Sequence, residues 1–347
     1  MKKYFYLLAL IVFTIGLMMA FRQRDTPRTL HNPVFEPVLA DPTVLRDPVS
    51  QLFYAYGTED NWDDNEGWRW VPILESADMV NWRYVGQAFE DKPNWKEKGG
   101  IWAPDINYVD GRYFLYYSFS TWGDKNPGIG LAIAESPIGP FVDQGKLFDS
   151  QDIGVPNSID PFYYQEKDKR YLFWGSFSNL PTQGTYAIEL TEDSKRVRDI
   201  NQKTKIAAGD FEAVMIHKHG DYYYFFGSKG SCCEGRNSTY QVRVARSKNL
   251  LGPYLDKDGK DIAERGNGTL ILEGNDQYAG PGHNSGIITD SQGIDWMLYH
   301  AIDRKNAKLT NGISRRVLML EQLYWKDGWP LFQNPTPTTT RAANPVF

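Results

Sequence analysis

The chain has 347 residues, a hydrophobic share of 41% and 50 aromatic residues (11 Trp, 21 Tyr, 18 Phe). That is enough apolar surface for a large core, which excludes the disordered class. Its 38 Lys and Arg against 43 Asp and Glu leave a net charge of −5, a balance with no basic field for a polyanion, so no nucleic acid is expected as a partner.

The first two charges, Lys2 and Lys3, precede an apolar run from 4 to 21. This basic-then-apolar order reads as an export signal or, if it is retained, as an N-terminal membrane anchor. Residues 1–21 are assigned to that segment and 22–31 to a leader. A single domain is expected over 32–335, with an irregular tail over 336–347. The location is exported, either periplasmic or extracellular, and membrane attachment through the N-terminal segment stays open.

From residue 41 onward, short aromatic runs recur without helical periodicity, and the fold class is all-β. The runs are Leu52-Phe53-Tyr54-Ala55-Tyr56, Tyr113-Phe114-Leu115-Tyr116-Tyr117, Tyr171-Leu172-Phe173-Trp174, Tyr222-Tyr223-Tyr224-Phe225-Phe226 and Trp296-Met297-Leu298-Tyr299. A strand with a polar residue near its start precedes each run, at Asp41-Pro42-Thr43-Val44, Ala103-Pro104-Asp105-Ile106, Ile159-Asp160-Pro161-Phe162, Phe211-Glu212-Ala213-Val214 and His283-Asn284-Ser285-Gly286-Ile287-Ile288. Asp41, Asp105, Asp160, Glu212 and His283 follow one another at intervals of 64, 55, 52 and 71 residues. Such spacing predicts a five-bladed β-propeller with long loops, closed by the segment around 32–37. A β-sandwich also uses many short strands, but it gives no reason for acidic residues to recur at strand starts.

The first strand of a propeller blade lies nearest the axis, so Asp41, Asp160, Glu212 and His283 are expected to converge at one end of the channel. A core-directed strand otherwise avoids an unpaired charge. Glycosidic cleavage requires one carboxyl group to protonate the leaving oxygen and another to activate water or attack the sugar, so the set suits that chemistry. The adjacent Cys232 and Cys233 suit a local role in an exported protein, as a vicinal disulfide stiffening a loop or as two packed thiols.

At Ala40-Asp41-Pro42, Trp102-Ala103-Pro104-Asp105, Ser158-Ile159-Asp160-Pro161 and Phe211-Glu212-Ala213 the sequence resembles the five-bladed propeller enzymes of glycoside hydrolase family 43. Ser231-Cys232-Cys233-Glu234-Gly235 and Gly280-Pro281-Gly282-His283-Asn284 are similar to its arabinanase and arabinofuranosidase branch. The resemblance implies an inverting hydrolase in which Asp41 is the general base and Glu212 the general acid, while Asp160 orients Glu212 and raises its proton affinity. It implies that Trp102, Phe211, Arg316 and His283 contact the sugar, although Trp102 also suits a blade interface, Phe211 also suits packing around the acid and the neighbouring Arg315 competes for the arginine role. No cofactor is required for the chemistry. By the resemblance, His283 is associated with a structural calcium ion in the central channel, held partly through water, or is a satisfied channel histidine.

The implied substrate is plant-wall arabinan or an arabinose-containing oligosaccharide, cut internally at α-1,5 linkages. Removal of terminal arabinofuranose comes second and β-xylosidase action third; a carbohydrate-binding propeller without activity is the non-enzyme reading. Two departures from the endo-acting pattern stand out: no histidine precedes Asp41, and Thr121-Trp122-Gly123-Asp124 lies where a Ser-rich segment is usual. The insertion over 60–70, with Trp62, Trp68 and Trp70, is expected to wall one end of a cleft together with Trp102.

Overall fold

The structure, a computed structural model, describes residues 29–347 except 176, 178, 179 and 181. The export segment expected over 1–21, and the leader up to residue 28, lie outside the described residues. Among the described residues no helix is long and apolar enough to cross a membrane.

Five antiparallel sheets follow one another along the chain. Blade 1 comprises β1 (Thr43–Arg46) and β2 (Phe53–Tyr56), a separate hairpin of β3 (Asp60–Asn61) and β4 (Trp68–Arg69), then β5 (Pro72–Ser76) and β6 (Arg83–Gln87). Blade 2 is β7 (Gly100–Val109), β8 (Arg112–Ser120), β9 (Gly128–Ala134) and β10 (Val142–Asp149). Blade 3 is β11 (Ile159–Glu166), β12 (Lys169–Gly175), β13 (Gly184–Glu189) and β14 (Lys203–Ala208), and blade 4 is β15 (Glu212–His219), β16 (Tyr222–Lys229), β17 (Gln241–Ser247) and β18 (Thr269–Leu272). Blade 5 contains β19 (Tyr278–Gly282), β20 (Ile287–Thr289), β21 (Asp295–Asp303), β22 (Arg316–Lys326) and β23 (Trp329–Phe332). Its inner strand departs from expectation. The stretch 283–286 is no strand, hydrogen-bonded to β21 only through Ser285 and Leu298 among the described residues, and β19 and β20 flank it, each pairing with β21.

The aromatic runs are the second strands, and they are apolar throughout because both faces of each sheet are covered. In β8, Tyr113, Leu115 and Tyr117 pack with Tyr54 and Tyr56 of blade 1, whereas Phe114 and Tyr116 pack with Tyr163 and Leu172 of blade 3. Phe173 of β12 faces Val214 and Phe225 of blade 4, whose Tyr224 and Phe226 face Met297 and Tyr299 of blade 5. Trp296 and Leu298 complete the circle against Phe53 and Ala55 of blade 1. Each buried ring contributes about 1.5–3 kcal/mol, so the blades are joined by these interfaces as much as by the chain.

Closure uses the segment expected for it. The Val34 N–H donates to Leu318 O at 2.9 Å, Leu318 N–H to Phe35 O at 3.1 Å and Leu39 N–H to Arg316 O at 3.0 Å, extending blade 5 along β22. The Asn32 amide then clasps both backbone groups of Leu320, at 3.0 and 2.9 Å. The C-terminal stretch forms no strand, but Ala342 bridges Leu30 and Phe347 packs on Phe53.

Candidate active site

Every blade opens on one non-glycine residue with left-handed backbone: Asp41 (φ 52°), Ala103 (φ 43°), Asp160 (φ 56°), Ala213 (φ 57°) and His283 (φ 47°). An L-residue pays about 1–2 kcal/mol for that conformation, so it persists where its surroundings hold it. Here a side chain of the preceding blade catches each N–H. Ala103 donates to Thr58 Oγ1 at 2.9 Å, Asp160 to Ser118 Oγ at 2.8 Å, His283 to Ser228 Oγ at 2.9 Å and Asp41 to His300 Nδ1 at 3.0 Å. The fifth N–H, from Ala213, donates to the Asp160 carboxylate at 3.0 Å.

Strand register explains the exception. Trp102 pairs with Ser118, Glu212 with Ser228 and Gly282 with His300, and the corresponding partner of Ile159 is Gly175. Gly175 has no side chain to offer, and the carboxylate of Asp160 takes over. Glu212 therefore does not occupy the same place in its blade as Asp41 and Asp160. It sits one residue earlier, equivalent to Trp102, and a register shift follows both residues.

The arrangement brings Asp41, Asp160, Glu212, Trp102, His283 and Arg316 to the wall of one cavity of about 700 Å³. Arg316 Nη1 reaches both Asp41 oxygens at 3.0 and 2.9 Å, Thr58 Oγ1 donates to Oδ2 at 2.5 Å, and His283 Nδ1 stands 3.3 Å from Oδ1. Burial opposes a charge on Asp41, but Arg316 and His283 outweigh it and hold the carboxyl well below its usual range. Glu212 behaves oppositely. Burial first, then the Asp160 carboxylate, push it up to about 8, against the Tyr240 hydroxyl that donates to Oε1 at 2.7 Å. Burial also raises Asp160, with Asp41 adding to the effect and His283 opposing it.

Histidine protonation divides in the same way. Burial works against a charge on His283, yet Asp41, Asp160 and Glu212 together raise its affinity for a proton. Burial drives His300 down to about 3, so its 3.4 Å approach to Asp41 is no ion pair; Nδ1 accepts the Asp41 N–H and Nε2 carries the proton. That buried Nε2 has no hydrogen-bond partner among the described residues, and as a donor it suits water and not a metal. Calcium takes six to eight oxygens, whereas the Asp41 oxygens are engaged by Arg316, Thr58 and His283. His283 Nε2 could ligate only with the imidazole neutral, against the carboxylates that favour its proton, and an ion there would draw its other ligands from water.

The other sequence candidates separate. Phe211, implied as a sugar contact, is fully buried, edge-on to Phe225 and beneath the Lys229 ammonium at 4.1 Å. Arg315 pairs with Glu36, leaving Arg316 as the arginine at Asp41. Asp105 ties blades together, accepting the Tyr163 N–H at 2.7 Å and the Thr43 hydroxyl at 3.4 Å. Trp62 is buried between Phe35 and Tyr84 under Arg69, and Trp70 packs against the core shared by blades 1 and 2. Of the insertion's tryptophans only Trp68 lines the cleft, in a second cavity of about 530 Å³ that shares Trp102, Trp122 and Arg316 with the first. Trp122, which the sequence marked only as a departure, is 80% exposed and packs against Trp102 at 5.7 Å. Cys232 and Cys233 form a disulfide that also lines the cleft.

Several of these partners are ordinary in the sequence: Thr58, Ser118, Tyr240 and Ser228 carry no mark of their own. A spacing does connect them. Ser118, Gly175 and Ser228 stand 16 residues after Trp102, Ile159 and Glu212, and Thr58 and His300 stand 18 after Ala40 and Gly282.

Known proteins share this architecture. Residues 30–330 match the family described as glycosyl hydrolases family 43. The chain is 35% identical to the extracellular endo-alpha-(1->5)-L-arabinanase 1 of Bacillus subtilis over 85% of its own length and 88% of that protein's. It is 34% identical to the extracellular exo-alpha-(1->5)-L-arabinofuranosidase ArbA of Cellvibrio japonicus, over 75% and 79%. The solved structure of Cellvibrio cellulosa alpha-L-arabinanase superposes with a TM-score of 0.73 at 30% identity, covering 86% of this chain and 96% of that one. On the matched sequence and the shared ring of blades, the chain belongs to glycosyl hydrolases family 43, and it is a glycoside hydrolase.

Proposed function

We propose that the protein hydrolyses α-L-arabinofuranosyl linkages of arabinan, cutting internal 1,5 bonds with inversion at the anomeric carbon. The observation that carries the reading is the opposed protonation of two carboxyl groups on one cavity. Asp41 is held ionised by Arg316 and His283, while Glu212 keeps its proton to about pH 8. Two acids pushed apart in this way suit a base and an acid. Asp41 deprotonates the attacking water, Glu212 protonates the departing sugar oxygen, and Asp160 sustains the Glu212 proton. No step passes through a metal; a calcium ion beside His283 would be a neighbour of the site, held largely by water. Arabinan is supported by the activities named for both relatives, and internal cutting by the continuation of the cleft past Trp102 and Trp122. The N-terminal charge and apolar pattern supports export.

One observation favours the terminal-cutting reading. The β3–β4 hairpin is tied to the loop after β21, where Asp63 accepts the backbone N–H groups of Thr310 at 2.9 Å and Asn311 at 3.3 Å, and together the two form a wall beside Trp68. Digestion of linear 1,5-arabinan decides between them: a ladder of oligosaccharides is expected, release of monosaccharide alone would establish terminal cutting, and turnover only of xylo-oligosaccharides would overturn both. Glu212→Ala is expected to lower kcat by about 10²–10⁴-fold with oligosaccharide binding retained. Proton NMR of the first product reads the inversion.

A further inference from the structure

Far from the cleft, the last residues of β15 gather a second set of donor groups. Seven residues separate Glu212 from His219, roughly 20 Å of strand at about 3.3 Å per residue. His217 and His219 pair with Tyr224 and Tyr222 of β16, and alternation along a strand puts both imidazoles on one face. That face meets blade 5. The buried Asp295 stands there at the start of β21, and one ligand atom from each of His217, His219 and Asp295 lies within 4.8 Å of the others.

The groups around the cluster orient it. Asp295 Oδ1 accepts the Thr289 hydroxyl at 2.6 Å and Oδ2 the Trp325 indole N–H at 2.7 Å. Among the described residues these neutral donors are its only side-chain partners, so a buried carboxylate stands without a cation while each oxygen keeps a lone pair. The Trp325 ring also stacks on His219 at 3.7 Å and 6°, and lies 5.9 Å from His217. One indole therefore fixes both the carboxylate and an imidazole, the kind of outer support that metal ligands commonly have.

We propose that His217, His219 and Asp295 bind one divalent transition-metal ion of the zinc class, which joins blade 4 to blade 5 on the face away from the cleft. Two imidazoles and one carboxylate are the donor set such ions take, with water completing a tetrahedron; calcium and magnesium prefer oxygen throughout. The ion is structural. It lies too far from Asp41 and Glu212 to enter the hydrolysis, and the proposal stands whatever glycoside the cleft cleaves.

The test is calorimetric titration of ZnCl₂ into the tag-free, EDTA-stripped protein, with thermal unfolding beside it. One zinc per chain is expected, with the unfolding midpoint rising by roughly 5 °C at a hundredfold excess over Kd. His219→Gln, at an exposed position, and Asp295→Asn, which keeps the Thr289 and Trp325 contacts, are each expected to abolish the zinc-dependent rise while leaving the metal-free midpoint within about 2 °C. His283→Gln is expected to retain it. Binding weaker than about 100 μM, far below zinc-site strength, would overturn the proposal, as would a zinc effect that survives His219→Gln and Asp295→Asn or disappears in His283→Gln.

Discussion

Four of the five junctions between neighbouring blades are built alike, and the one between blades 3 and 4 is not. At the four, a hydroxyl or imidazole on the second strand of one blade, or just after it in the case of Thr58, receives the N–H of the residue that opens the next. Between blades 3 and 4 that acceptor is missing, because Gly175 stands where Ser118 and Ser228 stand elsewhere. The carboxylate of Asp160 fills the gap by taking the Ala213 N–H at 3.0 Å, which brings its charge beside Glu212. A glycine with no side chain to react thereby helps to set the proton affinity of the proposed acid beside it. The lesson is that a ring of equivalent clasps becomes functional where one repeat is broken.

Three substitutions probe this contrast. Asp160→Asn keeps an acceptor for Ala213 and removes the charge. Asp160 raises the Glu212 pKa, so without it Glu212 loses its proton at lower pH. The alkaline limb of the kcat profile is expected to move toward acid by about 1 pH unit, equal to about 1.4 kcal/mol, with a loss of rate of roughly fivefold at pH 8 that approaches tenfold at higher pH. An unmoved limb would remove Asp160 from control of the acid.

Gly175→Ser restores the missing hydroxyl. A β-carbon there would stand 3.4 Å from Glu212 Cα and 3.5 Å from Thr185 Oγ1, ordinary contacts, so the fold accommodates it. The new hydroxyl competes for the Ala213 N–H and loosens Asp160; the loss of about one hydrogen bond predicts roughly a fivefold fall in kcat with KM little changed. Wild-type kinetics would mean that Asp160 holds its place without the vacancy.

Ser228→Ala, at an ordinary junction, is expected to act on stability alone. The His283 N–H loses its partner at a cost of about 1–3 kcal/mol, which predicts an unfolding midpoint lower by roughly 2–6 °C and an unmoved alkaline limb. A limb displaced as far as in Asp160→Asn would erase the distinction between the two kinds of junction.

The blades were legible in the sequence because a sheet covered on both faces must be apolar at every position, and a run such as 222–226 fits little besides a strand of that kind. Asp41, Asp160 and Glu212 were legible because charges at the starts of buried strands are conspicuous. Their register was not. Glu212 stands one residue earlier on its strand than Asp160 does on its own, ahead of a register shift that both blades share, and strand register leaves no mark in composition. Ser118 and Ser228 were hidden for a plainer reason: a serine in a strand is unremarkable until its partner on the next blade is known. Trp62 was misplaced and Phe211 left between two roles because an aromatic near a cleft fits a core as well as a sugar, and only burial separates the two. Trp122 reached the cleft from a loop whose course local pattern does not fix.

The Asn32–Leu320 clasp joins residues 288 positions apart. Synthesis delivers the two halves of that closure at opposite ends of the process. The last blade cannot be sealed until the final strands have emerged, so every shorter intermediate presents a bare edge on blade 5 or on whichever sheet is newest. An order of events follows: the segment at 32–39 waits for β22, and the ring shuts only after that strand is made.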